Sequence, residues 1–125
     1  MVDAAPLFEE RLALKRAAVV ARRPMVESAV YAFGAHITTI IPGRTGCLQC
    51  FVPKPPPEWR RQLLVLGAMS GTAGCLAAAE VVKLLTGLGQ PQAGTRLVMD
   101  MGTMQSRRLK LARRTDGPVC GQPAA

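Results

Sequence analysis

Residues 63–79 run from Leu63 to Ala79 without one charged side chain, in a chain of 125 residues. An apolar run of that length must lie along a sheet, pair with another helix or enter lipid, and each choice fixes a different protein. A membrane span needs about 20 predominantly apolar residues. Here Ser70, Thr72 and the glycines at 67, 71 and 74 dilute the run, and Glu80 and Lys83 end it. Gly67 and Gly71 have the GxxxG spacing of paired helices in lipid. In an α/β protein the same small residues let a helix lie close on a sheet. The stretch 66–86, stopped by Gly87 and Gly89, therefore reads as a long buried helix of an α/β domain, and no membrane partner is expected.

The elements around it fit such a domain. Residues 7–22 are rich in Ala and Leu, with acids first and bases last, as a helix dipole favours, and Pro24 ends the helix. Residues 25–33 and 35–41 are β-branched or aromatic and are separated by Gly34, which predicts two strands or one bent strand. Pro42-Gly43 closes them and opens a loop to Trp59, stiffened by Pro55-Pro56-Pro57. Residues 96–101 and 104–112 then predict a β-hairpin across Gly102-Thr103, with Leu109 and Leu111 alternating with Arg108 and Lys110 so that one face is wet. One domain over 1–125 is expected, and no internal repeat is evident.

Sixteen Lys and Arg against eight Asp and Glu give a net charge of +8, which favours an acidic partner. The cations fall in pairs, Arg22-Arg23, Arg60-Arg61, Arg107-Arg108 and Arg113-Arg114, and the single Tyr and single Trp offer no stacking platform. Nucleic acid is therefore not the expected partner, and solvated faces are the plain reading. Met1 to Pro6 show no basic segment followed by an apolar one, so no signal peptide is expected. Four cysteines in that setting point to a reducing, cytoplasmic location. There the spacing Cys47-Leu48-Gln49-Cys50 belongs to metal or redox chemistry, with free thiols as the alternative. Cys75, inside the Ala-rich helix, reads as a buried small hydrophobe. His36, the only histidine, reads as a strand side chain with an ordinary partner.

Four stretches taken in order resemble the ThiF/MoeB/HesA family, bacterial relatives of ubiquitin-activating enzymes. They are residues 2–19, 24–50 with its strand pair and CxxC, 65–104 with the glycine-rich crossover helix, and 116–121, which reads DGPVCG where the family usually ends C-P-x-C-G. The resemblance implies the back half of a Rossmann-like adenylation domain: a mixed sheet with a C-terminal β-hairpin and a long crossover helix. It implies binding of ATP and magnesium, adenylation of the C-terminal Gly-Gly of a ubiquitin-like sulfur-carrier protein, and a homodimer. It also implies structural zinc, for which Cys47, Cys50 and Cys120 are the matching ligands, with Gly117 where the fourth cysteine stands. Water, Asp116 or His36 are the candidates to complete such a site.

The departures from the family pattern matter equally. No GxGxxG occurs in these residues, so the phosphate-holding turn must come from a complementary N-terminal half. Catalysis by these residues alone is not expected. Asp3 matches the first acid of the family's D-x-x-D, but Pro6 stands where the magnesium-contacting acid belongs. Arg11 matches the family's Arg, and Lys15 stands where Asn is common. The transfer cysteine is absent from Trp59–Leu64. A truncated or split adenylating enzyme is the leading expectation. A non-catalytic, zinc-stabilised interaction module and a degenerate fragment are the alternatives, and the sheet edge left open invites self-association.

Overall fold

The computed structural model describes residues 1–54, 64–117 and 119–120. Its order is β1 (Val2–Asp3), α1 (Phe8–Val20), β2 (Met25–Tyr31), β3 (Gly34–Ile40), α2 (Leu48–Phe51), α3 (Gly67–Thr86), β4 (Thr95–Asp100) and β5 (Gln105–Lys110). The strands make one five-stranded sheet in chain order. β1 runs parallel to β2 and every other neighbouring pair is antiparallel. The expected mixed sheet, crossover helix and terminal hairpin are all present. Prolines 55–57 and the stretch 59–63, where a transfer cysteine was sought, lie outside the described residues.

The pleat sorts the strand side chains into two layers. Val26, Ile37 and Ala35 face α3 and bury against Ala77, Met69 and Ala73. Met25 and Ile40, paired in register, face the other way and pack with Ala18 of α1, Cys47 and Cys120. Each fully buried Met or Ile contributes roughly 1.5–3 kcal/mol by leaving water.

α3 is long and apolar enough to cross a membrane by length and composition, and it lies along the sheet on one face only. Met69, Ala73, Ala77 and Glu80 are buried. The last is a polar anchor: Thr39 Oγ1 donates to Glu80 Oε2 at 2.7 Å, as does the N–H of Gln92. The expectation of a long buried helix, with Cys75 buried and the glycines at the close approach, is thus corrected on its outer side. Cys75 is exposed, Leu85 is 81 % exposed, and Gly67, Gly71 and Gly74 face open space rather than the sheet. The close approach uses alanines, because the helical 3–4 spacing from Met69 reaches positions 73 and 77 and misses the glycines. The terminal hairpin also differs from expectation. All six residues of β5 are exposed, so both of its faces are wet.

The C-terminal segment returns to the loop before α2. Leu111 N–H donates to the Gly94 carbonyl at 2.9 Å. Arg113, whose charge was read as merely solvated, holds two carbonyls at once, those of Cys120 at 2.9 Å and Gly43 at 3.0 Å. Gly46 lies against this returning segment so closely that a Cβ would sit 2.9 Å from the Ala112 carbonyl oxygen. Gly46→Ala should therefore destabilise the fold by about 1–3 kcal/mol, since backbone cannot move aside as a side chain can. Gly71→Ala, with open space around it, should stabilise by up to about 1 kcal/mol through helix propensity. Denaturant melts of both variants check the pair, and equal effects would contradict the close approach.

Candidate functional site: a thiol cluster and a buried ion cluster

Three thiols meet where α2 begins. The turn after β3 is fixed by Thr45, whose Oγ1 accepts the Ile41 N–H at 2.9 Å. It delivers Cys47 to the start of α2 and Cys50 one turn on, the geometry that makes CxxC a two-point ligand. The returning tail brings Cys120. Sγ atoms of Cys47 and Cys50 are 4.0 Å apart, those of Cys50 and Cys120 are 3.1 Å apart, and all three lie within 4.8 Å of one another. Ligands about 2.3 Å from a tetrahedral zinc stand roughly 3.8 Å from each other, so these spacings bracket a metal-sized gap. The three cysteines could hold a metal ion.

The three thiols differ in how readily they ionise. Burial pushes the Cys47 thiol up to about 12, and the neighbouring Cys120 and Cys50 sulfurs add to the rise. Burial also opposes ionisation of Cys50, but the N–H of Arg114, the Cys120 thiol and the N–H of Cys47 outweigh it and lower its pKa. The thiolate is the metal-binding form, so an ion shared by these sulfurs would have to displace the Cys47 proton against this rise. Two proposed completing ligands are not brought in. Asp116 is paired with Arg114 at 2.8 Å in solvent, and His36 belongs to a different cluster. Neither joins the ligand group among the described residues. Gly117, next to the thiols in sequence, is buried.

The second cluster was only partly visible in the sequence. Asp3 at the end of β1 and Glu27 in β2 are fully buried carboxylates. Lys15, from α1, places its ammonium 3.3 Å from Asp3 Oδ2 and 3.0 Å from Glu27 Oε1. Arg11, one helical turn earlier, donates to the carbonyls of Ala5 at 2.9 Å and Ser28 at 2.6 Å, and reaches Glu27 at 3.4 Å. His36 Nε2 stands 3.6 Å from Glu27 Oε1 and is also contacted by the Arg96 guanidinium. Burial, with Arg96 and Arg11 beside it, holds the His36 pKa below its ordinary value against the pull of Glu27.

Burial alone would raise the Glu27 pKa, yet His36 and Lys15 outweigh it and bring the group from 4.5 to about 2. Burial lowers Lys15 in turn, against Glu27 and Asp3. The signal for Glu27 was present in the strand: an acid at the alternate position to Met25, on the inward face. Nothing in the sequence distinguished Arg96 from the other cations.

Asp3, Arg11, Glu27, His36 and Arg96 form one wall of an open groove of about 1200 Å³, whose other walls include Pro6, Tyr31 and the α3 residues Gly74, Ala78 and Val82. The ThiF family model matches residues 1–121. The chain belongs to the ThiF family. Among curated relatives, protein HesA of Leptolyngbya boryana is 45% identical over 98% of this chain and 44% of its own length. The sulfur carrier protein adenylyltransferase of Thermus thermophilus is 35% identical over 97% of this chain and 48% of its own. This ThiF-family chain thus spans about half the length of the curated relatives it matches. Among solved structures, E. coli MccB with ATP superposes with a TM-score of 0.80 at 18% identity, covering 97% of this chain and 39% of that one; it supports the α/β fold.

The Glu27 shift sets a pH dependence. The fold binds the ionised form, because the folded pKa of about 2 lies below the ordinary 4.5. This contribution, on the order of 3 kcal/mol, is complete above about pH 4.5 and is lost as pH falls toward 2. Glu27→Gln should cost roughly 3–5 kcal/mol at neutral pH, since it leaves Lys15 with one carboxylate. It should also flatten the acid limb of the stability curve. Urea melts of both proteins at a series of acid pH values test this, and parallel limbs would refute it.

Proposed function

We propose that these 125 residues form the half of an adenylating enzyme that carries the metal centre and part of the carrier-binding groove. The substrate is the C-terminal Gly-Gly of a ubiquitin-like sulfur-carrier protein. What carries this reading is the family match over 1–121 together with the placement of Asp3 and Arg11 on the wall of the groove. No GxGxxG occurs among these residues, so the nucleotide phosphates are held by a segment outside them. Asp3 and Arg11, by their matched positions, would order the β1–α1 turn beside the bound nucleotide. Magnesium is a poor fit to this stretch. Pro6 has no donor atom in its side chain, and the carboxylates of Asp3 and Glu27 are already engaged by Lys15. The thiols suit a cytoplasmic setting.

A second reading rests on the same Pro6: a non-catalytic interaction module stabilised by zinc. The two differ in one experiment. ATP–pyrophosphate exchange is measured with a Gly-Gly-ending carrier, first on these residues alone, then with the front half of a HesA relative added as a separate polypeptide. The expected result is no exchange alone and exchange on complementation. Exchange by these residues alone would overturn the division of labour. Association with the carrier, without exchange under either condition, would favour the second reading.

Zinc is the metal that fits three thiolates. Gly117, at the matching fourth position, gives a direct test. Gly117→Cys should retain close to one zinc per chain through dialysis and melt higher with zinc than with chelator. The parent chain should lose its metal more readily. Full structural sites contribute apparent binding free energies of about 10–16 kcal/mol, so even a fraction is visible against a domain stability of about 5–15 kcal/mol. A variant that gains neither metal nor a zinc-dependent melt would remove zinc from the proposal.

A further inference from the structure

β5 is the outermost strand at the margin away from β1, and its whole length is exposed. Its inner edge is paired without interruption to β4, from Thr95↔Lys110 to Asp100↔Gln105. Its outer edge pairs with no strand among the described residues, so a row of backbone N–H and C=O groups faces outward. No proline interrupts the strand, which carries Arg107, Arg108 and Lys110 and no acid. None of the three cations makes an ion pair among the described residues. By the pleat, Arg107 shares a face with Leu109, while Arg108 and Lys110 share the other. Both faces of this edge therefore present positive charge, and Leu109, 49% exposed, adds an apolar contact.

We propose that β5 is a docking edge for an extended, acidic segment of a partner protein, which joins the sheet as a further strand. Main-chain hydrogen bonds supply the affinity in such an addition, and the flanking charges supply the selection. The charges also decide against a second copy of this chain. Antiparallel pairing of two β5 strands brings Arg107, Arg108 and Lys110 of one beside those of the other, and like charges across a strand pair are destabilising. An acidic strand removes that repulsion and replaces it with attraction, and the chain's net charge of +8 steers the encounter in the same direction. β1 offers no rival edge of this kind, being two residues long with Asp3 buried. The proposal does not rest on the adenylation reading, whose readout is exchange activity.

The test is fluorescence anisotropy on the full chain with three labelled peptides. One alternates glutamate with valine and threonine, one has lysine in place of glutamate, and one is the glutamate peptide N-methylated at every second residue along its bonding edge. The glutamate peptide should bind saturably, and the lysine peptide at least about tenfold more weakly, given three unpaired cations on the edge. N-methylation should abolish binding, and amide exchange in β5 should slow in the complex. The variant R107E/R108E/K110E should reverse the preference. Its sites are all exposed, and circular dichroism confirms its fold; should it not fold, the three-peptide comparison on the parent chain decides. Equal binding of the glutamate and lysine peptides would overturn the proposal. So would undiminished binding of the N-methylated peptide, which would reduce the effect to diffuse charge attraction. A single-stranded oligonucleotide that displaces the glutamate peptide at lower concentration would assign the edge to nucleic acid and overturn it as well.

Discussion

The ammonium of Lys15, 3.0 Å from Glu27 and 3.3 Å from Asp3, is the contact on which the placement of β1 depends. β1 is two residues long, too short for its backbone pairing with β2 to hold it against fraying. The ion cluster adds what the ladder cannot, because Asp3 from β1, Arg11 and Lys15 from α1 and Glu27 from β2 become one interlocked unit. Removing such charges from water costs several kcal/mol per ion, and only good geometry with further hydrogen bonds offsets it. Arg11 ties the cluster to the backbone by also holding the carbonyls of Ala5 and Ser28, while Asp3 Oδ2, Glu27 Oε2 and the Lys15 ammonium rest on ion pairing without a hydrogen bond among the described residues. The arrangement therefore acts against register slippage: a slip of β2 by one residue would move Glu27 to the α3 face and leave Lys15 with Asp3 alone.

That constraint passes across the sheet. With β2 in register, Met25 and Ile40 form the floor on which Cys47 and Cys120 rest, so the thiol cluster is built on the same face as the ion cluster. The opposite face is then left to α3, where alanines allow close contact and the Glu80–Thr39 bond fixes the helix along its length. The register that places Glu27 beside Lys15 thus goes with the partition of side chains between the two layers, and Arg113 and Gly46 close the tail onto the result.

The elements of this fold were legible in the sequence because their periodicity is local. α1, α3 and both hairpin strands stand within about two residues of where composition and turn residues put them, whereas β1 and α2, the latter inside the expected loop, were too short to show a period. The CxxC was legible too, since its two thiols lie three residues apart in the chain, and Cys120 was found through the family's ending. What could not be read was anything decided by the third dimension. Glu27, Lys15, His36 and Arg96 come from four elements, and only the sheet register makes them neighbours. Cys75 was misjudged because an alanine-rich helix gives weak contrast between its faces: Ala73 and Ala77 look like Ala78 and Ala79 until one side meets a sheet. The glycines were misjudged for the same reason.

The two clusters differ in a way that bears on which cofactor this stretch can hold. Asp3 and Glu27 are hard oxygen donors, the kind that magnesium prefers, but a lysine occupies the space between them and no further acid stands at Pro6. The Lys15 ammonium and the Arg11 guanidinium together neutralise the pair without the coordination number or geometry that a divalent ion would demand. Lys15 and Pro6 thus point the same way, one filling the space of a cation and the other withholding a ligand. The thiols have no such internal partner. No lysine or arginine head group hydrogen-bonds to their sulfurs among the described residues, and burial drives the Cys47 thiol toward its neutral form. Under the proposed reading, metal chemistry in this half belongs to soft sulfur donors and serves structure. Chemistry at phosphate has to be completed by groups that enter the groove from outside these residues.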